Sequence, residues 1–347
     1  MKQDLLGMTM DELKAFATET GEKPFRGKQL FIWINRGVRD FREMTDLPLA
    51  FRQKLEETAR IGHAEILDQQ IDETDGTRKF LFGFAGEAGD DAMDAAEAVF
   101  MKYKYGNTLC VSSQIGCRMG CRFCASALGG FVRDLTAGEM LSQVLMAEAA
   151  AGEPINHIVV MGMGEPFDNY ENVAKFLRIL HDPDGKNMSY RNMTVSTSGL
   201  IPGIRRFAKD FPQAGLAISL HRMTDAGRSS IMPVNRRYPL DGLLQAAKEY
   251  TEETGRRITF EYALIRSEND TEEDVALLKK RLRRMLCHVN LIPLNKVEET
   301  GLEGSSRQRA EAIAVELEQA GISATVRREL GGNIDGACGQ LRLQRKK

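Results

Sequence analysis

The chain has 347 residues, which suffices for one large domain or for a large domain with a smaller partner. Hydrophobic residues make up 42% and charged residues 28%, which excludes a disordered chain, and the net charge of −2 argues against a surface that binds nucleic acid throughout. The sequence has no apolar run of the roughly 18–20 residues that span a bilayer, and no export signal at its start. We therefore expect a cytoplasmic protein that binds no membrane and keeps its thiols reduced.

The first part of the chain predicts a small helical domain followed by a β connection. Residues 1–60 contain three helical segments, Thr9–Thr18, Arg26–Arg36 and Pro48–Ala59. Residues 61–105 contain three β-like runs, Ala64–Ile71, Arg78–Phe84 and Ala98–Tyr105. We predict that these runs form antiparallel strands, with turns at Asp75-Gly76 and within Glu87–Ala96.

Residues 106–347 alternate short β-like runs with amphipathic segments, which predicts an α/β domain with a parallel sheet. The β-like runs are Thr108–Ser113, His157–Gly162, Met193–Ser198, Leu216–Leu220, Ile258–Leu264 and Val289–Pro293, with a seventh at Ser323–Arg328. The helical segments are Thr136–Ala150, Tyr170–Leu180, Leu240–Thr254, Thr271–Met285 and Ser306–Ala320. Six such units in series fit either a partial barrel or an open doubly wound sheet.

Three of the six cysteines lie close together in a C-x3-C-x2-C pattern, Cys117, Cys121 and Cys124, just after the first β-like run of this domain. A 4Fe-4S cluster takes four ligands, so three thiolates leave one iron open, where S-adenosylmethionine (SAM) can bind through its amino and carboxylate groups. One-electron cleavage of SAM would then give a radical that removes an unactivated hydrogen. Two alternatives stay open: a zinc site that uses a further cysteine, and a dithiol pair of Cys121 and Cys124.

Polar residues and glycines follow the predicted strands at the same end as the cysteine loop. They lie in the segments Met161–Pro166, Ser196–Gly199 and Ser219–His221, and at Asn295. Ligands bind at the carboxyl ends of strands in parallel α/β folds, and Glu165 has the chemistry to accept a hydrogen bond from an ammonium group. Taken singly, a glycine-rich strand end is as often only a tight turn as a ligand site, and a lone histidine at a strand end is more often structural than catalytic.

Two further cysteines have different surroundings. Cys110 lies inside the first strand of the parallel domain, where a cysteine is commonly a small core residue. Cys338 lies between Gly336 and Gly339 near the end of the chain, and these surroundings favour a reactive thiol over a packed one.

Taken together, these residues resemble the radical SAM adenosine-C2 RNA methyltransferases. The resemblance covers almost the whole chain, and the strings that carry it are Gly21–Arg26, Asp75–Lys79, Asn107–Cys117, Leu135–Glu139 and Ile334–Leu341. It implies a partial (βα)6 radical SAM barrel, with a C-terminal segment that bears a catalytic cysteine. It also implies that residues 1–60 are a candidate RNA-binding domain.

The resemblance further implies a two-stage methyl transfer that consumes two SAM molecules. One SAM methylates Cys338, and a 5′-deoxyadenosyl radical from a second SAM, bound at a 4Fe-4S cluster on Cys117, Cys121 and Cys124, removes a hydrogen from that methyl group. The carbon then adds to C2 of the adenine. Cys110 resolves the protein–RNA adduct through a transient disulfide with Cys338, and Glu97 matches the proton acceptor. Contacts to SAM map to Gly164, Glu165, Ser196, Ser219, Leu220, His221 and Asn295.

The implied partners are 23S ribosomal RNA, tRNA and an electron donor such as a flavodoxin, with the protein acting as a monomer. The nearest rival function is that of a sister enzyme, which methylates C8 of the same adenine and confers antibiotic resistance. Two more distant functions also stay open: a non-enzymatic RNA-binding protein with a structural metal, and a radical SAM enzyme that acts on a small molecule. The net charge alone does not choose between RNA and a small metabolite.

Overall fold

A computed structural model of the chain describes residues 2–85, 93–295, 300–328 and 330–334. Its N-terminal part consists of helices α1 Met10–Glu19, α2 Pro24–Asn35 and α3 Leu49–Thr58. Helix α1 begins at a capping box, in which the Thr9 side chain accepts from the Glu12 N–H and the Glu12 carboxylate accepts from the Thr9 N–H. Strands β1 Gln3–Asp4 and β2 Ala59–Arg60 pair in parallel and so connect the two ends of this part.

Three antiparallel strands follow, β3 Glu65–Ile71, β4 Arg78–Ala85 and β5 Met93–Tyr103. The turn predicted at Asp75-Gly76 is confirmed, since the Asp75 carboxylate accepts from the Thr77 N–H at 2.8 Å. Strand β5 begins at Met93, five residues before the predicted start at Ala98. Alanine is uncommon in strands, but Ala96 is buried opposite Phe82, where a small side chain leaves room for the ring. The turn predicted within Glu87–Ala96 falls before β5 and lies outside the described residues.

The remaining strands and helices alternate along the chain. The strands are β6 Gly106–Cys110, β7 Gln114–Gly116, β8 Phe131–Asp134, β9 His157–Val160, β10 Met193–Thr197, β11 Gly215–Ser219, β12 Ile258–Leu264, β13 Cys287–Pro293 and β14 Ser323–Val326. The helices are α4 Ala137–Ala151, α5 Tyr170–His181, α6 Ile201–Asp210, α7 Asp225–Ile231, α8 Leu240–Thr254, α9 Glu272–Leu282 and α10 Arg307–Gln319. Helices α6 and α7 were not predicted, because both are short and α6 has Pro202 and Gly203 close to its start.

Among the residues that the structure describes, ten strands form one sheet in the order β14-β13-β12-β11-β10-β9-β6-β5-β4-β3. From β6 to β14 the neighbours are parallel and follow chain order without reversal. Right-handed crossovers therefore place the connecting helices on one face, which is the arrangement of a barrel and not of a doubly wound sheet. The predicted partial barrel with an antiparallel β connection is confirmed.

The N-terminal helices pack closely on the barrel helices. Gly7, just before α1, lies against Gly138 of α4. A Cβ atom on either glycine would overlap the backbone of the opposite segment, so the two segments can pack this closely only because both residues are glycine. Glu12 of α1 pairs with Lys175 of α5 at 2.7 Å. Nowhere in the described ranges is there a helix with the length and apolar character that crossing a membrane requires.

Candidate functional site

The cysteine loop is built on the β7–β8 hairpin. Gly116 has φ +71°, and a Cβ there would overlap the carbonyl of Gly130, which accepts from the Cys117 N–H at 3.0 Å. Arg118 pairs with Asp168 at 2.9 Å and lies over the ring of Phe131 at 3.7 Å. These contacts fix the first cysteine of the triplet relative to the sheet.

The other side of the loop docks on the end of helix α7. The Arg122 N–H donates to the Ile231 carbonyl at 3.0 Å. Cys121 and Phe123 pack against a small apolar cluster formed by Ile231, Met232 and Ile265. The loop is therefore held from both sides of the barrel mouth before any ligand binds.

The three thiols of the loop line one cavity, which also carries the strand-end residues predicted from the sequence. Burial raises the pKa of Cys117 to about 12 and that of Cys121 well above its ordinary value. A bound metal reverses this preference, because a coordinating thiol is deprotonated.

In the part of the chain that the structure describes, no three His, Cys, Asp or Glu side chains are arranged around a single metal ion. An iron–sulfur cluster makes a different demand, because each thiolate ligates its own iron. Three cysteines on one short loop, all lining the same cavity, fit that demand in donor type and in placement.

Gly164 and Glu165 lie at the cavity because the loop after β9 passes very close to Gln114. Gly164 has φ +105°, and a Cβ there would lie 2.6 Å from the Gln114 Cβ, so glycine is required. The buried Glu165 carboxylate accepts from the N–H groups of Phe167 at 3.1 Å and Ser198 at 2.6 Å. Burial raises the pKa of Glu165, and these hydrogen bonds oppose the rise. The carboxylate thus joins the loops after β9 and β10 and still lines the cavity.

His221 follows β11 in a strained backbone conformation, with φ +56°. Its Nδ1 accepts from the Ala263 N–H at 2.9 Å, so in the neutral ring the proton is on Nε2. Burial, together with the nearby Arg228 charge, lowers the pKa of His221 to about 3. Phe123 of the cysteine loop meets the imidazole edge-on, with ring centroids 4.6 Å apart. The ring is therefore a neutral wall of the cavity.

Arg228 is a residue that the sequence analysis missed. Its guanidinium is fully buried and donates to the carbonyls of Ser198 at 2.6 Å and Ser219 at 3.0 Å. It also donates to the carbonyl of Leu220 at 3.2 Å and to Asn235 Oδ1 at 3.0 Å. Burial lowers the pKa of Arg228 to about 10, and the nearby charge of Asp225 opposes this change. Nothing in the sequence around it distinguishes it from a surface arginine.

Glu261 was also missed, although its sequence carried a signal. It is a single charge inside the apolar strand β12, and it is buried and lines the cavity. Asn290 donates to its carboxylate at 2.9 Å, and burial raises its pKa. A charged residue inside an apolar strand is uncommon and is a candidate functional residue.

Cys110 is the last residue of β6 and lines the same cavity as the cysteine triplet. Its partner on β5 is Val99, which also lines the cavity. Glu97, two residues before Val99, therefore shares its sheet face but is not itself part of the cavity lining. It is buried, and its carboxylate pairs with Lys79 at 3.6 Å.

The structure thus brings most of the predicted site residues to one cavity. They are Cys110, Cys117, Cys121, Cys124, Gly164, Glu165, Ser196, Ser219, His221 and Asn295. Leu220 does not line the cavity, since its side chain lies in the core; its carbonyl accepts a hydrogen bond from Arg228. Cys338 lies outside the described residues.

Two family models match the chain. Residues 3–61 match the N-terminal domain of the ribosomal RNA large subunit methyltransferases, and residues 111–278 match the radical SAM superfamily. The radical SAM match includes the whole cysteine triplet.

Curated relatives match over nearly the full length. A probable dual-specificity RNA methyltransferase RlmN of Clostridium perfringens is 49% identical over 341 residues, which cover 98% of this chain and 96% of the relative. Another of Alkaliphilus metalliredigens is 46% identical over 98% of this chain and 95% of the relative. A crystal structure of a radical SAM methyltransferase from Sphaerobacter thermophilus superimposes with a TM-score of 0.92 at 41% identity, covering 99% of this chain and 100% of that one.

Proposed function

The chain belongs to the RlmN family of dual-specificity RNA methyltransferases within the radical SAM superfamily, and we propose that it methylates C2 of an adenosine in 23S ribosomal RNA and of an adenosine in tRNA. The family uses a 4Fe-4S cluster and SAM. The observation that carries the proposal is the shared cavity of Cys110, the cysteine triplet and the strand-end residues.

We propose that Cys117, Cys121 and Cys124 hold the cluster and leave one iron open for SAM. When bound, the cluster supplies the electron that generates a 5′-deoxyadenosyl radical from SAM. Glu165 has lone pairs left after accepting two backbone N–H groups, and these can accept from the SAM ammonium group. Ser196, Ser219 and Asn295 supply further polar groups to the same cavity, and the glycine at 164 lets its backbone approach the ligand.

The cysteines outside the triplet carry the methyl group in this proposal. Cys338 receives a methyl group from one SAM and then loses a hydrogen atom from it to the radical made from a second SAM. The resulting carbon adds to C2 of the adenine and links the protein to the RNA. The radical adduct then has to lose one electron, which the oxidised cluster would take back when bound, and its C2 proton, which Glu97 takes. The Cys110 thiolate attacks the sulfur of Cys338, and the carbon leaves with the electron pair of the C–S bond and takes up a proton. This gives 2-methyladenosine and a Cys110–Cys338 disulfide.

The chemistry of the base supports a radical route. The adenine C2–H is neither acidic nor nucleophilic enough for polar methylation. The position of Cys110 at the end of β6, facing the cavity, supports a role for a thiol that is otherwise only a small core residue. The Glu97 carboxylate pairs with Lys79 at 3.6 Å on the same sheet face as Val99, which lines the cavity, and this position supports a role as proton acceptor. Reactive thiols of this kind also need a reducing compartment, so we place the protein in the cytoplasm.

Single replacements of the two cysteines test this proposal. We expect Cys110→Ala to accumulate a covalent protein–RNA adduct through Cys338, because the resolving thiol is absent. We expect Cys338→Ala to give neither adduct nor methylated RNA, while it retains the iron and the absorbance of the cluster. Denaturing gels of the purified proteins after anaerobic incubation with SAM, reductant and RNA show the adduct. Cys287→Ala, which removes a buried cysteine at the start of β13, is the matched control.

Methylated RNA made by Cys338→Ala would contradict the carrier role. If Cys110→Ala turns over RNA at the wild-type rate without an adduct, Cys110 does not resolve it.

A further inference from the structure

Residues 330–334 pack against the turn between β3 and β4, although the two segments are far apart in the sequence. The Gly331 N–H donates to the Asp75 carboxylate at 3.0 Å. The Asn333 N–H donates to the Asp72 carboxylate at 3.4 Å, and the Asn333 side-chain amide donates to both of its oxygens at 3.2 Å. Two segments about 260 residues apart are thus connected by hydrogen bonds that two carboxylates accept.

Packing reinforces these hydrogen bonds. Leu330 is 5% exposed and belongs to the main apolar core. Gly331 has φ +65°, and a Cβ there would lie 2.8 Å from the Thr77 Cγ2, so the segment fits against the turn only with glycine at this position. Asp72, itself 3% exposed, also bonds Thr74 within the turn, and those bonds together with Asn333 hold the pKa of Asp72 below its ordinary value.

In the sequence, the residues that contact the turn lie between Arg327, which lines the cavity, and Cys338. Arg327, just after β14, lines the cavity, and its N–H donates to the Leu291 carbonyl at 2.8 Å. Asn333 is five residues before Cys338, so Cys338 lies within about 17 Å of it whatever conformation those five residues adopt. If the chain were held only at Leu330, eight residues before Cys338, the limit would be about 27 Å.

We propose that the β3–β4 turn anchors the segment that bears Cys338, and that Asp72, Asp75 and Asn333 are positioning residues for this thiol. The inference rests on the proposed role of Cys338 as methyl carrier. Reducing the reach from about 27 Å to about 17 Å reduces the volume accessible to the thiol about fourfold. At any point within the shorter reach, the effective concentration of the thiol rises by the same factor.

An exchange of two side chains tests the anchor. Asn333→Asp places a second carboxylate against Asp72, and we expect it to slow both methylation of Cys338 and methylation of RNA about fourfold or more. Asp72→Asn combined with Asn333→Asp restores a donor and an acceptor, and the new amide oxygen at position 72 can still accept from Thr74, so this double variant should recover most of both rates. Glu73→Gln, an exposed change in the same turn, is the matched control and should match the wild type.

Two readouts separate the anchor from the activity. Peptide mass spectrometry measures methylation of Cys338 on incubation with SAM, and cluster absorbance checks that the barrel site is intact. Amide hydrogen exchange at Gly331 and Asn333 measures the contact itself. We expect both amides to be protected in the wild type and at least tenfold less protected in Asn333→Asp. In the double variant we expect the Gly331 amide, which donates to Asp75, to be protected again.

Wild-type rates in Asn333→Asp, or no recovery in the double variant, would overturn the positioning role. Unprotected amides at Gly331 and Asn333 in the wild type would overturn the anchor itself. If the wild type shows protected amides but never methylates Cys338, the anchor stands and the proposed function fails.

Discussion

His221 combines a left-handed backbone with a neutral ring at the end of β11. A non-glycine residue at φ +56° is strained, and the fold holds it there through two contacts. The Asn269 amide donates to the His221 carbonyl at 2.7 Å, and the Ala263 N–H donates to Nδ1. Strain of this kind persists only where the surroundings determine the conformation, and it often marks a functional site.

The state of this ring predicts how stability depends on pH. The pKa of His221 is about 3 in the folded protein and 6.5 as its ordinary value. Between these two values the unfolded chain binds a proton that the folded chain does not, so acid destabilises the protein by up to about 1.4 kcal/mol per pH unit. We expect His221→Asn to remove this part of the acid dependence, because asparagine tolerates positive φ and its Oδ1 can accept from Ala263.

Thermal midpoints at pH 8, 6 and 5 measure the effect. The thermal midpoints of the wild type and the variant should differ least at pH 5, where protonation of His221 in the unfolded chain destabilises the folded wild type. They should differ most at pH 8. Two curves that stay parallel over this range would show that His221 is not held neutral.

Arg228 connects several secondary-structure elements, because its one guanidinium donates to carbonyls at the ends of β10 and β11 and to a side chain of the loop after α7. The carbonyls of Ser198, Ser219 and Leu220 lie after β10 and at the end of β11, next to the residues proposed to contact SAM. Asn235 extends the network to Asp225, the first residue of α7, on whose end the cysteine loop docks. A buried cation thus determines the relative positions of the two sides of the cavity.

Replacing this side chain should therefore cost more than removing an ordinary ion pair. We expect Arg228→Met to lower the free energy of unfolding by about 3 kcal/mol or more, because it leaves several buried acceptors without a donor. Arg205→Met is the matched control: Arg205 is half exposed and pairs with Glu249 at 2.8 Å, so its loss should cost less than about 1 kcal/mol.

Thermal unfolding of both variants, together with iron content after cluster reconstitution, checks this prediction. Arg228→Met should also retain less iron than Arg205→Met. Equal midpoints for the two variants would mean that the Arg228 network contributes no more than a surface pair.

Across the whole molecule, the features that could be predicted are those that depend on residues close together in the sequence. Runs of Val, Ile and Leu located the parallel strands; β12, for example, was predicted with the bounds it has in the structure. The spacing of the cysteines predicted their common loop, and strand ends predicted which polar residues would meet. Parallel strands in chain order bring their carboxyl ends together, so the position of a residue at the end of a strand was enough to predict that it lies near the others.

The features that were missed depend on contacts between distant residues. No local pattern shows that Arg228 binds the ends of β10 and β11, or that Glu97 pairs with Lys79. The same holds for Gly331 and Asn333 on the β3–β4 turn, since nothing in either segment specifies the other. Glu261 is the exception, because a charge inside an apolar strand is visible in the sequence alone.

Nucleoside mass spectrometry of the RNA shows whether this cavity makes 2-methyladenosine. Protein with a reconstituted cluster is incubated anaerobically with SAM, reductant and a 23S RNA fragment, and the RNA is digested to nucleosides for mass spectrometry, with Cys338→Ala as control. We expect 2-methyladenosine with the wild type and none with the control. Finding 8-methyladenosine, or cleaved SAM with unmethylated RNA, would show that the cavity does not methylate C2.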